Sequence, residues 1–131
     1  MNLSKIEIAG LVTIALTGLL HLVEMPEYFG EQRYVGVLFG LSVAGAVAAM
    51  IGIMRREAWG WSLGTLVAIG CIAGYLLSRT VGLPSFRENS WSAFLEPMGL
   101  LSLAVEFAFL IVVSLRMRPE TPTYRTEQRA A

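Results

Sequence analysis

Four apolar stretches, each close to the length a helix needs to cross a bilayer, leave this chain few other ways to fold. They run over about 6–23, 34–54, 59–77 and 97–115. A helix at 1.5 Å rise takes ~20 residues to cover a ~30 Å hydrocarbon core. Four such spans consume most of the 131 residues. Charged residues make up 15% of the chain, against about 25% in a soluble domain. The expectation is an all-α, integral membrane four-helix bundle over residues 1–118. Residues 119–131, rich in Pro, Thr, Glu and Arg, read as a disordered cytoplasmic tail.

The first stretch has the charged start and apolar run of a signal peptide. No small-x-small cleavage site follows it; His21-Leu-Val-Glu-Met-Pro-Glu-Tyr-Phe29 comes instead. It is therefore read as a permanent span. Basic residues then set the expected orientation. Lys5, Arg55, Arg56, Arg116, Arg118, Arg125 and Arg129 lie at the N-terminus, in the second loop and in the tail. Only Arg33, Arg79 and Arg87 fall in loops one and three. Seven against three predicts both termini on the cytoplasmic side of the cell's inner membrane. These charges flank spans directly, so they serve topology and give no reason to expect a nucleic-acid partner. Trp59 and Trp61 are expected at the inner interface. Tyr28, Phe29, Phe86, Trp91 and Phe94 are expected at the outer one.

Small residues recur every fourth position. The second span carries Gly36, Gly40, Ala44, Ala48 and Gly52; the third carries the rows Gly60-Gly64-Ala68 and Gly70-Gly74-Ser78. Helices in lipid associate by packing, so such rows predict close approach within the bundle, or a homodimer through one face.

One residue breaks the apolar pattern of the fourth span: Glu106, near its centre. A carboxylate at mid-bilayer depth costs roughly 2.5–3.5 kcal/mol on insertion scales, which marks it as a site of use. It is most cheaply held neutral or matched by a cation. The helical period brings other polar residues into register. Thr13, Thr17, His21 and Glu24 form a stripe on the first span. Cys71, Tyr75 and Arg79, with Ser78 beside them, do so on the third, and Met98, Ser102 and Glu106 on the fourth. Glu106 lies roughly 13–14 Å below Pro97, so a polar path from the outside to mid-membrane is expected. Leu110 and Val113 are expected to close it toward the cytoplasm.

Arg79 needs a carboxylate or the headgroups, and Glu24, Glu96 and Glu106 are its candidate partners. Glu96 also suits a helix N-terminus. His21 and Glu24, three residues apart, can present a nitrogen and an oxygen to one divalent ion, with Glu27 near enough to join; catalytic zinc sites usually take three protein ligands. Met25 and Met98 offer soft sulfur to copper. A single histidine excludes bis-histidine haem and multi-histidine iron sites. No nucleotide loop or nucleophile elbow is present. The lone Cys71 brings no disulfide framework and no C-x-x-C pair.

The strings His21–Phe29, Ser78-Arg-Thr-Val-Gly-Leu-Pro84 and Glu96-Pro-Met-Gly-Leu-Leu-Ser-Leu103 together resemble small four-span bacterial membrane proteins, frequent in actinobacteria. That family carries the same Ser-Arg-Thr-Val-Gly-Leu-Pro turn and a Glu-Pro helix start. The resemblance implies the fold and a bacterial origin, and it implies no activity.

Three functional classes remain. The favoured one is a binding protein whose outward-facing site takes a cation or small polar ligand. Its cluster is His21, Glu24, Glu27, Arg79, Glu96 and Glu106, lined by Thr17, Cys71, Tyr75, Ser78, Met98 and Ser102. The second is a proton- or cation-coupled carrier using Glu106. The third is an accessory subunit of a membrane complex. A carrier needs access to Glu106 from both sides, which the apolar inner half of the fourth span opposes. An enzyme is disfavoured by the single histidine.

Overall fold

The computed structural model describes residues 2–84 and 96–119. Within them run four helices: α1 (Lys5–Glu31), α2 (Arg33–Met54), α3 (Ala58–Arg79) and α4 (Pro97–Arg116). Each is long and apolar enough to cross a membrane. Phe86, Arg87, Trp91 and Phe94, and the tail from residue 120 on, lie outside the described residues.

Helices α1 and α3 both pack against α2 and against α4, while the diagonal pairs scarcely meet. The result is a square, up-and-down bundle. Its two ends are called here the Arg56 end and the Arg79 end. Short connections impose this order, since only Gln32 separates α1 from α2 and residues 55–57 separate α2 from α3.

Local chemistry explains the boundaries. Ser4 and Glu7 close a capping box at the start of α1: the Glu7 N–H donates to Ser4 Oγ at 3.2 Å, and the Ser4 N–H donates to Glu7 Oε2 at 2.7 Å. Glu7 is thus a capping residue. Its carboxylate also meets Arg56 Nε at 3.4 Å, and the Arg56 guanidinium donates to the Asn2 carbonyl at 2.6 Å. Arg56 itself stands in the left-handed region (φ 59°). This lets the Glu57 N–H reach back to the Gly52 carbonyl at 2.9 Å and end α2. At the other end of α3, Gly82 (φ 85°) turns the chain, and its N–H donates to the Leu77 carbonyl at 2.8 Å.

Two expectations need correction. The first span does not end near Val23: α1 continues through Pro26 to Glu31. A proline removes only one helical hydrogen bond, and tight packing on α2 holds the last turns. Tyr28 is therefore a buried helical residue stacked on Phe39 at 4.2 Å, not part of an outer aromatic belt. Trp61 is likewise 4% exposed, whereas its neighbour Trp59 is 46% exposed. Trp61 lies inside because Gly10 leaves room for it: a Cβ on Gly10 would meet the Trp61 ring at 2.5 Å.

The core sits in the Arg56 half. Ile14, Ala46, Ala49, Ile53, Trp61, Ala68 and Phe109 form one buried cluster, with Leu110 and Val113 packed against it. Trp61 stacks on Phe109 at 6.1 Å between ring centres, and the Arg116 guanidinium lies 4.9 Å above the Trp61 ring. Helices α2 and α3 touch backbone to backbone at Gly52 and Gly60, where an added Cβ on either would fall 2.5 Å from main-chain atoms of the other. Gly64 gives the same close approach to Phe109. The row Gly60-Gly64-Ala68 is a packing seam.

Candidate functional site

Above that core the bundle opens into a cavity of about 320 Å³. Its floor is polar and comes from three helices. His21 on α1 is 6% exposed and Glu106 on α4 is 2% exposed, with His21 Nε2 3.7 Å from Glu106 Oε1. Cys71 on α3 completes the group: one ligand-type atom from each of the three lies within 4.8 Å of the other two.

Each of these residues is held by a neighbour. His21 Nδ1 is 2.8 Å from the Thr17 carbonyl. A carbonyl can only accept, so Nδ1 carries the proton, and in the neutral ring the lone pair sits on Nε2, toward Glu106. The Ser102 hydroxyl donates to Glu106 Oε1 at 2.9 Å. Cys71 Sγ lies 3.4 Å from the Ser42 hydroxyl across the α2–α3 seam. Phe39 tilts against the His21 ring at 5.0 Å.

Arg79 forms a roof rather than snorkelling. It is 8% exposed. Its guanidinium stacks on the Tyr75 ring at 3.9 Å, donates to Ser78 Oγ at 3.0 Å, hydrogen-bonds the Tyr28 side chain and meets Glu96 Oε2 at 3.5 Å. Of its candidate carboxylates, Glu96 is in salt-bridge contact. Three helices are tied together over the cavity by this one side chain. Glu96 stands at the N-cap position of α4 and makes no side-chain capping bond.

The flank between α2 and α3 is open. Leu38, Leu41 and Leu66 line the cavity and are 47%, 62% and 68% exposed. A Cβ added to Gly70 or Gly74 would meet nothing within 4 Å. The second small-residue row of α3 therefore frames a gap instead of a packing seam. The gap ends below where Val67 fills the space beside Gly45. Above, the Tyr34 hydroxyl donates to the Pro84 carbonyl. Among the described residues the cavity is open on the α2–α3 flank, where Gly70 and Gly74 leave it without side chains.

The other predicted residues are distributed as follows. Glu24, Tyr75 and Ser78 line the cavity with His21, Arg79, Cys71, Ser102 and Glu106. Glu27 points out of the bundle, and Thr17 and Met98 do not line the cavity; Thr17 contributes through its carbonyl. Among the described residues, the group of three able to share a metal is His21, Cys71 and Glu106. Ser42, Phe39 and Tyr28 were not expected at the site. Ser42 had a signal, being the one hydroxyl in the middle of an otherwise apolar α2. No protein-family model, curated protein or solved structure matches this chain.

Proposed function

We propose that this is a membrane binding protein that seats a small ligand, or a cation, on the His21–Cys71–Glu106 floor of the bundle cavity. The convergence of two buried polar side chains, His21 and Glu106, and the half-buried Cys71 thiol, from three helices at the bottom of a cavity, carries this reading. Buried polar groups are costly unless paired, and here a carboxyl, an imidazole and a thiol are gathered where apolar packing would be cheaper. The remaining walls are largely apolar, with Val35, Leu38, Phe39, Leu41, Leu66 and Val67. Such a chamber suits a ligand with a polar head and an apolar body, the usual division of labour in small-molecule sites.

The basic-residue asymmetry supports a bacterial inner-membrane orientation with both termini cytoplasmic, which turns the roofed half outward. Access is then from the outer leaflet through the α2–α3 window. A carrier reading has little support, since Trp61, Phe109 and Ile14 fill the opposite half and leave Glu106 no second route.

The test is native mass spectrometry of the full-length protein released from nanodiscs. Wild type is expected to retain a bound small molecule or ion. Gly74→Leu, which places a side chain into the open chamber, is expected to lose it while keeping its helicity and melting temperature. A bare chain in every wild-type preparation would count against binding and favour an accessory subunit.

A further inference from the structure

The floor residues support a more specific reading, which rests on the cavity being a binding site. We infer that His21, Cys71 and Glu106 are a three-ligand site for a divalent transition metal, best matched by zinc, with the fourth coordination position facing the cavity.

The geometry is close to what such an ion needs. In a tetrahedron with bonds of about 2.0–2.3 Å, neighbouring ligand atoms lie roughly 3.3–3.7 Å apart. His21 Nε2 and Glu106 Oε1 are at 3.7 Å, and the sulfur lies within 4.8 Å of both partners' ligand atoms. A side-chain movement of about 1 Å closes the set.

The surroundings argue independently. Ligating histidines donate their other N–H to a carbonyl or carboxylate, which fixes the tautomer. His21 does this through Nδ1 to the Thr17 carbonyl. Glu106 is oriented by Ser102, and Cys71 faces Ser42. When sulfur ligates the ion, its proton leaves through the cavity, and the Ser42 hydroxyl can turn to donate to the thiolate. All three ligands therefore carry an outer partner.

Charge selects the ion. A divalent cation with one thiolate, one carboxylate and one neutral imidazole sums to zero, which is the least costly total in a low-dielectric interior. A monovalent copper would leave the site at minus one. Nitrogen and sulfur donors exclude magnesium and calcium, which take oxygen. Three protein ligands with an open fourth position follow the pattern of reactive rather than purely structural zinc sites.

The experiment titrates cobalt(II), as a spectroscopic stand-in for zinc, into chelator-treated full-length protein in nanodiscs. A thiolate-to-cobalt charge-transfer band with intense tetrahedral visible bands is expected, at about one cobalt per chain, and zinc should displace it. Cys71→Ser should remove the charge-transfer band. His21→Ala and Glu106→Gln should weaken binding at least tenfold, and Ser102→Ala, which keeps all three ligands, by roughly tenfold. Glu27→Gln, an exposed residue outside the cavity, should bind like wild type. Metal-free melting curves identify any variant that has failed to fold. Absence of the band in wild type, or its survival in Cys71→Ser, overturns the metal assignment. If wild type binds no metal yet still carries a molecule that Gly74→Leu loses, the metal assignment falls and the binding reading stands. If neither metal nor molecule is found, both fall.

Discussion

The two small-residue rows of α3 are used to opposite ends. In the Arg56 half, Gly52, Gly60 and Gly64 let backbones and the Phe109 ring come together, and no space remains. In the Arg79 half, Gly70 and Gly74 sit on the same helix at the same kind of spacing, and nothing approaches them. A four-residue glycine row therefore states only that a helix face is flat. Whether a neighbour fills that face depends on where the adjoining helix goes. Here the α3 face at Gly70 and Gly74 borders a chamber floored by titratable side chains, although Cys71 still reaches Ser42 of α2.

That contrast can be broken by mutation, and the largest effect is expected at Gly60. Gly60→Leu forces α3 away from the α2 backbone, and the cost should be about 3 kcal/mol or more. Unfolding in mixed micelles would measure it, and a near-neutral result would mean the packed half is not packed. Next comes the metal: zinc at a hundredfold excess over its Kd should add about 2.7 kcal/mol of stability through linkage, and chelation should remove it. Thermal melts of wild type and Cys71→Ser, with and without zinc, check this, because only wild type should respond fully. Phe109→Ala is expected to cost about 2–3 kcal/mol, mostly from the void it leaves, since the unfolded helix stays in lipid. The smallest effect should be Gly74→Ala, which stabilises by about 0.5 kcal/mol through helix propensity and meets no neighbour. A large loss there would mean that the gap is closed in the membrane.

Legibility followed the same division. The four helices could be read directly, because a lipid-spanning helix must satisfy its own backbone and advertise its length in apolar residues. His21, Arg79 and Glu106 could be singled out for the same reason, as polar groups where such groups are expensive. The extent of α1 could not be read, since Pro26 and the polar run around it look like a loop until packing against α2 holds them helical. Nor could the fate of Trp61, which differs from Trp59 only by facing Gly10 instead of the surface. Helical spacing relates residues on one helix only, so it offered His21 with Glu24 and could not offer a set drawn from three helices. Cys71, which the sequence offers only as a residue lining the site, stands among the candidate ligands once three helices are assembled.

By itself the sequence determined the class of fold, the number of helices and which side chains were too polar for their depth. All of these follow from the local cost of burying backbone and charge in hydrocarbon. Only the tertiary structure decided which of those side chains meet, that Arg79 pairs with Glu96, and that the α3 face at Gly70 and Gly74 stays open among the described residues. Those outcomes depend on contacts between residues tens of positions apart. In lipid such contacts are chosen by shape, and hydropathy does not record shape.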